Sequence, residues 1–60
     1  MKYGELLQLF SKNGIVFVRH GRSHDIYYSP LTENRISVPR HTKEIPTGTA
    51  KKIKKDAGLE

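Results

Sequence analysis

Apolar residues near the start of the chain recur with the spacing of an amphipathic helix. They occupy positions i, i+3, i+4 and i+7, as Tyr3, Leu6, Leu7 and Phe10. Asn13-Gly14 follows, and glycine suits the left-handed conformation in which helices often end. The pattern therefore predicts a first helix over approximately residues 2–12.

Two segments with the composition of β-strands come next. The first is the β-branched and aromatic run Ile15-Val16-Phe17-Val18, followed by the turn residues His20-Gly21-Arg22-Ser23. In the second segment, apolar and other positions alternate with the period of two of a half-buried strand. Its residues are Ile26 and Tyr28, alternating with Asp25 and Tyr27. These segments predict a hairpin.

A third strand and a second helix complete the pattern. After a turn at residues 29–34, Ile36 and Val38 alternate with polar residues until Pro39 closes the strand. Residues 46–49 open the helix, with a threonine expected as its N-cap. Its predicted apolar stripe is Ala50, Ile53 and Ala57, and Gly58-Leu59 is expected to form its C-cap.

This order of elements predicts an α+β fold with α-β-β-β-α topology. Two helices on one face of a three-stranded antiparallel sheet make a two-layer domain, in which both apolar stripes are buried. A chain of 60 residues has room for one such domain, spanning residues 1–60. Double-stranded-RNA-binding domains have the same order of elements.

Composition points to a polyanionic partner. Eleven Lys and Arg against six Asp and Glu give a net charge of +5, which favours nucleic acid over an anionic membrane surface. No apolar run approaches the roughly 20 residues of a membrane span. The chain has no cysteine, which fits a reducing, cytoplasmic location.

The second helix carries most of the candidate phosphate-binding side chains. Four lysines lie outside its apolar stripe: Lys51, Lys52, Lys54 and Lys55. Ammonium groups near a helix start can meet phosphates together with the free backbone N–H groups. A run of lysines is more often simply a solvated face. Here only Asp56 and Glu60 lie near enough in sequence to offset the charge, which favours phosphate contact.

Four short motifs, taken in order, resemble one known family. They are Ser23-His24 at the turn into the second strand, Val38-Pro39-Arg40-His41, Glu44-Ile45-Pro46-Thr47-Gly48-Thr49, and Ala57-Gly58-Leu59. Together they resemble the HicA toxins, small messenger-RNA interferases of bacterial toxin–antitoxin pairs. The resemblance covers nearly the whole chain. One departure is Arg22, which separates the glycine from Ser23-His24 and can lengthen the turn by one residue.

The resemblance implies a double-stranded-RNA-binding-like fold and an endoribonuclease in which His24 is the catalytic residue. It also implies a HicB-type antitoxin that binds the toxin and covers His24. No metal or cofactor is expected, because RNA supplies its own 2′-hydroxyl nucleophile and a histidine can move the proton near pH 7. Arg22 and Arg40, together with the four lysines, are predicted to contact RNA. Arg22, Arg40, Tyr27 and the lysines are open candidates for a second catalytic role.

Other interpretations stay open at this point. A lone histidine beside a turn is usually a surface residue without a task, and only the family pattern favours catalysis by His24. His41 is expected to brace the loop before the second helix, and His20 to be solvated. Three histidines without a cysteine or a suitably spaced carboxylate do not predict a zinc site. The main alternative function is a non-catalytic RNA-binding module, and the next is a protein-interaction domain for an acidic partner.

Overall fold

Helix, three strands and helix follow one another in the predicted order. The computed structural model describes residues 1–40 and 43–59. Its elements are α1 (Tyr3–Lys12), β1 (Val16–His20), β2 (His24–Ser29), β3 (Asn34–Pro39) and α2 (Thr47–Ala57). The predicted α+β fold is confirmed. Neither helix is long and apolar enough to cross a membrane.

The sheet is antiparallel, with β2 in the middle and β1 and β3 at its edges. Across β2 and β3, Asp25 lies opposite Val38 and Tyr27 lies opposite Ile36. Directly opposed residues share a face, so Asp25 and Tyr27 lie on the side of the sheet where Ile36 and Val38 join the core.

Both helices contribute to a single core against the sheet. The predicted stripe of α2 is buried in full, whereas in α1 Leu6 and Phe10 are buried and Tyr3 and Leu7 are half-buried. The Phe10 ring meets the Tyr27 ring edge-on at a centroid distance of 5.1 Å and thereby ties α1 to β2. The buried hydrophobic residues are Leu6, Phe10, Ile15, Ile36, Val38, Ile45, Ala50, Ile53 and Ala57.

The buried side of β2 is not its most apolar side. Asp25 and Ser29 are buried, and Tyr27 packs against the core. Ile26 and Tyr28 are half-buried on the opposite face. The period-two pattern thus predicted the strand, but the pairing with β3 decides which face meets the helices.

The two ends of α2 are stabilised differently. The predicted threonine N-cap is wrong: Pro46 is the N-cap, Thr47 is already helical, and no side chain caps the end. The C-terminus is as predicted, with Gly58 in the left-handed conformation and the Leu59 amide donating to the Lys54 carbonyl. Hydroxyl groups at the end of β2 and in the β2–β3 turn satisfy the last carbonyls of α2. Ser29 Oγ donates to the Ala57 oxygen (2.6 Å) and Thr32 Oγ1 to the Asp56 oxygen (2.7 Å).

Candidate active site

The turn between β1 and β2 presents the predicted catalytic histidine. The Gly21 amide donates to the His24 carbonyl oxygen over 2.6 Å, which closes the turn around Arg22 and Ser23. A Cβ atom on Gly21 would lie 2.6 Å from the same oxygen, closer than side chains approach a carbonyl. The turn therefore requires glycine at position 21, and the shape of the turn depends on it.

His24 is the first residue of β2 and is exposed. Its Nδ1 lies 3.0 Å from the Ser23 hydroxyl oxygen. When Nδ1 carries the proton and donates to Ser23, Nε2 holds the free lone pair and can act as a base; the other tautomer makes Nε2 a donor. Within the described residues Nε2 makes no hydrogen bond, so it is available to a substrate in either tautomer.

Asp25, the next residue, is a buried carboxylate with two cationic or potentially cationic neighbours. It is 6% exposed, and its Oδ1 lies 2.8 Å from His20 Nδ1 and 3.3 Å from Arg40 Nη1. The side chain of His20 is 68% exposed, as predicted, yet it is bonded to Asp25 rather than simply solvated. Its ring also packs beside that of Phe17, at a centroid distance of 4.9 Å.

Arg40 follows β3 and folds against the turn. Its Nη2 donates to two backbone oxygens, those of Gly21 (2.8 Å) and Arg22 (2.7 Å), and its backbone amide donates to the Ser23 oxygen (3.2 Å). The side chain is 23% exposed, and its Nε is buried without a hydrogen-bond partner in the described structure. The predicted contact of Arg40 with RNA would have to compete with these bonds.

The other predicted RNA-binding side chains are more accessible. Arg22 is exposed in the turn, and its side chain makes no hydrogen bond or ion pair with the residues that are described. On α2, Lys51, Lys52 and Lys55 are exposed and Lys54 is half-buried. Arg22 is two residues from His24 in the chain, whereas the lysines lie on α2, a separate element that packs against β3.

Tyr27, another candidate for a catalytic role, is held in its neutral form. Burial raises the pKa of the Tyr27 phenol, and the nearby Tyr3 and Asp25 raise it further. Its ring lies between Phe10 and Phe17, with centroid distances of 5.1 and 5.6 Å. Near neutral pH it can donate a hydrogen bond but cannot act as a base.

Two further predictions concern histidines and metals. His41, expected to brace the loop, lies outside the described residues. Among the residues that are described, no group of three His, Asp or Glu side chains could hold a metal ion.

Asp25 is the site residue that pattern reasoning missed, because a single acidic residue in an alternating strand is expected to face solvent. A usable signal was present. A two-residue turn at Arg22-Ser23 pairs Gly21 with His24, and the next pair outward is then His20 with Asp25.

Comparison with known families places almost the whole chain in one family. The family model described as the HicA toxin of bacterial toxin–antitoxin matches residues 3–59 of the chain. The chain belongs to the HicA toxin family. No curated protein and no solved structure matches it. The match spans both helices and all three strands of this HicA toxin, and includes the turn that carries His24 and the segment that carries Arg40.

Proposed function

We propose that this HicA toxin is an endoribonuclease that cleaves messenger RNA in the cytoplasm with His24 as its catalytic residue and without a metal ion. The observation that carries the proposal is the exposed His24 imidazole on a turn closed by backbone hydrogen bonds, in a chain of the HicA family. Unrestrained cleavage would arrest growth, which is the effect expected of a toxin.

The chemistry needs only groups that RNA and His24 supply. His24 Nε2 takes the proton of a 2′-hydroxyl, and the 2′-oxygen attacks the adjacent phosphorus. The bond from phosphorus to the 5′-oxygen breaks, and that oxygen gains the proton held by the His24 imidazolium, directly or through water, which returns His24 to its neutral form. The products are a 2′,3′-cyclic phosphate and a 5′-hydroxyl end. Proton transfer by a positioned side chain typically contributes about 10²–10⁴-fold in rate.

RNA binding would rest on the exposed cations. Arg22 is next to Ser23 in the turn, where its guanidinium can meet the phosphate that reacts, and the α2 lysines would hold flanking phosphates. Lys54 is half-buried and contributes through its charge. Arg40, also predicted to bind RNA, would act mainly through its bonds to the turn.

The proposed protein partner is a HicB-type antitoxin that covers His24. A toxin with a net charge of +5 would attract an acidic antitoxin and associate with it rapidly, at a rate that falls as salt rises. Binding over the β1–β2 turn would exclude RNA from His24.

The deciding experiment compares the wild-type toxin with His24→Ala on a defined single-stranded RNA in the presence of a metal chelator. We expect wild type to yield 5′-hydroxyl ends and His24→Ala to lose cleavage while still binding RNA. Circular dichroism checks that the variant is folded. Undiminished cleavage and growth arrest by His24→Ala would show that the assignment is wrong.

A non-catalytic RNA-binding module is the second candidate, favoured by the exposed lysines of α2 and the α-β-β-β-α order. It predicts a salt-sensitive gel shift with wild-type protein and intact RNA after long incubation. Product analysis on the same samples separates the two functions.

A further inference from the structure

Arg40 joins three consecutive residues of the β1–β2 turn to the end of β3. Its guanidinium and backbone amide together bond to the carbonyl oxygens of Gly21, Arg22 and Ser23. These are the three residues that separate β1 from His24. The side chain and the backbone amide of Arg40 thereby restrain the carbonyl groups of all three residues.

Asp25 anchors this arginine from the interior. Its buried Oδ1 accepts a hydrogen bond from Arg40 Nη1, and His20 Nδ1 lies 2.8 Å from the same oxygen. A buried carboxylate and a largely buried guanidinium stabilise each other, because removing either leaves an uncompensated charge out of water. Arg40 is therefore held in one orientation, with Nη2 directed at the Gly21 and Arg22 oxygens.

We propose that Arg40, held by Asp25, is a positioning residue that fixes the β1–β2 turn and with it the place of His24. This inference rests on the proposed function of His24. Arg40 touches neither RNA nor the reacting atoms in this role. It acts by removing alternative turn conformations, in which His24 would lie away from the phosphate that it attacks.

Arginine suits this position and lysine does not. The planar guanidinium presents several N–H donors at fixed angles and here serves a carboxylate and two carbonyl oxygens at once. The ammonium group of a lysine would keep a positive charge opposite Asp25. It cannot donate to the carboxylate and to both carbonyl oxygens with the same geometry. Displacing a catalytic group by about 1 Å can cost about 10²-fold in rate.

The test compares Arg40→Lys with Arg35→Lys. Arg35 lies exposed on β3, and its side chain makes no hydrogen bond or ion pair with the described residues. For Arg40→Lys we expect kcat to fall about 10–100-fold with KM for RNA within about twofold and an unchanged dependence on salt. Arg35→Lys should match wild type in kcat. If Arg40→Lys instead raises KM and flattens the salt dependence with kcat intact, Arg40 contacts RNA and the proposal fails.

Amide hydrogen exchange without RNA tests the positioning separately from catalysis. The Gly21 amide, bonded to the His24 oxygen, should exchange faster in Arg40→Lys than in wild type, while the buried Ile45 amide keeps its protection. If both amides lose protection together, or neither does, Arg40 does not act on the turn. A wild-type protein that cuts no RNA would overturn the proposed function and leave this exchange result standing.

Asp25→Asn covers the case in which Arg40 variants do not fold. The substitution keeps the size of the side chain and removes its charge, so it loosens the anchor without deleting Arg40. We expect a smaller fall in kcat, faster exchange at Gly21 and an unchanged KM. Wild-type exchange and kcat in a folded Asp25→Asn protein would contradict the proposal.

Discussion

The Gly21 amide nitrogen and the His24 carbonyl oxygen lie 2.6 Å apart, and a Cβ atom on Gly21 would come equally close to that oxygen. One hydrogen bond thus closes the turn, and any side chain at position 21 would collide with the oxygen that accepts it. The presentation of His24 depends on it, since His24 begins the strand at the point where this hydrogen bond forms.

Gly21→Ala should therefore impair cleavage more than folding. The added methyl group must push the His24 carbonyl away, at a cost of about 1–3 kcal/mol in the free energy of unfolding. We expect the protein to remain folded with kcat reduced at least tenfold, measured together with urea denaturation. Gly48→Ala is the matched control: a Cβ there meets nothing within 4 Å, and in a helix it should stabilise by up to about 1 kcal/mol. Equal activity in the two variants would refute the role of Gly21.

Ser29→Ala should destabilise the fold without touching the turn that carries His24. Ser29 is fully buried, donates to the Ala57 oxygen and accepts from the Leu31 amide (3.3 Å). Removing the hydroxyl leaves the Ala57 oxygen and the Leu31 amide without this partner, which lowers the free energy of unfolding by about 1–3 kcal/mol. Chemical denaturation measures the loss. Ser37→Ala, at an exposed site on β3, should change stability by less than about 0.5 kcal/mol. A similar loss in both would contradict the burial argument.

Tyr27 should ionise at a higher pH than an ordinary tyrosine, because burial raises its pKa above the usual 10.0. The absorbance of phenolate against pH, compared between wild type and Tyr27→Phe, isolates its titration. Since the unfolded state releases this proton first, the free energy of unfolding should fall as pH rises above 10.0. That fall should be smaller in Tyr27→Phe. A difference curve centred at or below 10.0 would contradict the prediction.

Neutralising the exposed lysines of α2 should weaken RNA binding more than catalysis. Replacing Lys51, Lys52 and Lys55 by Gln should raise KM and leave kcat nearly unchanged. For single-stranded RNA, each lost phosphate contact reduces the slope of log affinity against log salt by roughly 0.7. Lys12→Gln, at the end of α1, is a single-charge control that should leave the slope unaltered. A slope unchanged in the triple variant would show that α2 does not contact RNA.

Several features of the fold were accessible from local patterns. The bounds of α1 and α2 agree with the predicted spacing of apolar residues, and Gly14 and Gly58 adopt the left-handed conformation expected at helix ends. These features depend on residues within a few positions of one another, so the local sequence carries their signal. The threonine N-cap failed because Pro46 takes that place, and its ring has no hydroxyl to offer.

Ile45 shows where local reasoning stops. It is completely buried, yet it belongs to no helix or strand and has no periodic pattern around it. Its amide bonds to the Met1 carbonyl oxygen over 2.7 Å, so the segment before α2 is aligned with the start of the chain. That contact joins residues 44 positions apart in the sequence, and no window of neighbouring residues contains it.

The turn that carries His24 likewise combines features set by local sequence with features set by long-range contacts. The sequence by itself determined the order of the elements, the basic charge, and the place of His24 at the entry to a strand, because turn residues and periodicity act locally. Only the tertiary structure decided that Asp25 is buried and that Arg40 binds it and the turn carbonyls. Asp25 and Arg40 are 15 positions apart in the chain, and the register of β2 against β3 brings their side chains within 3.3 Å.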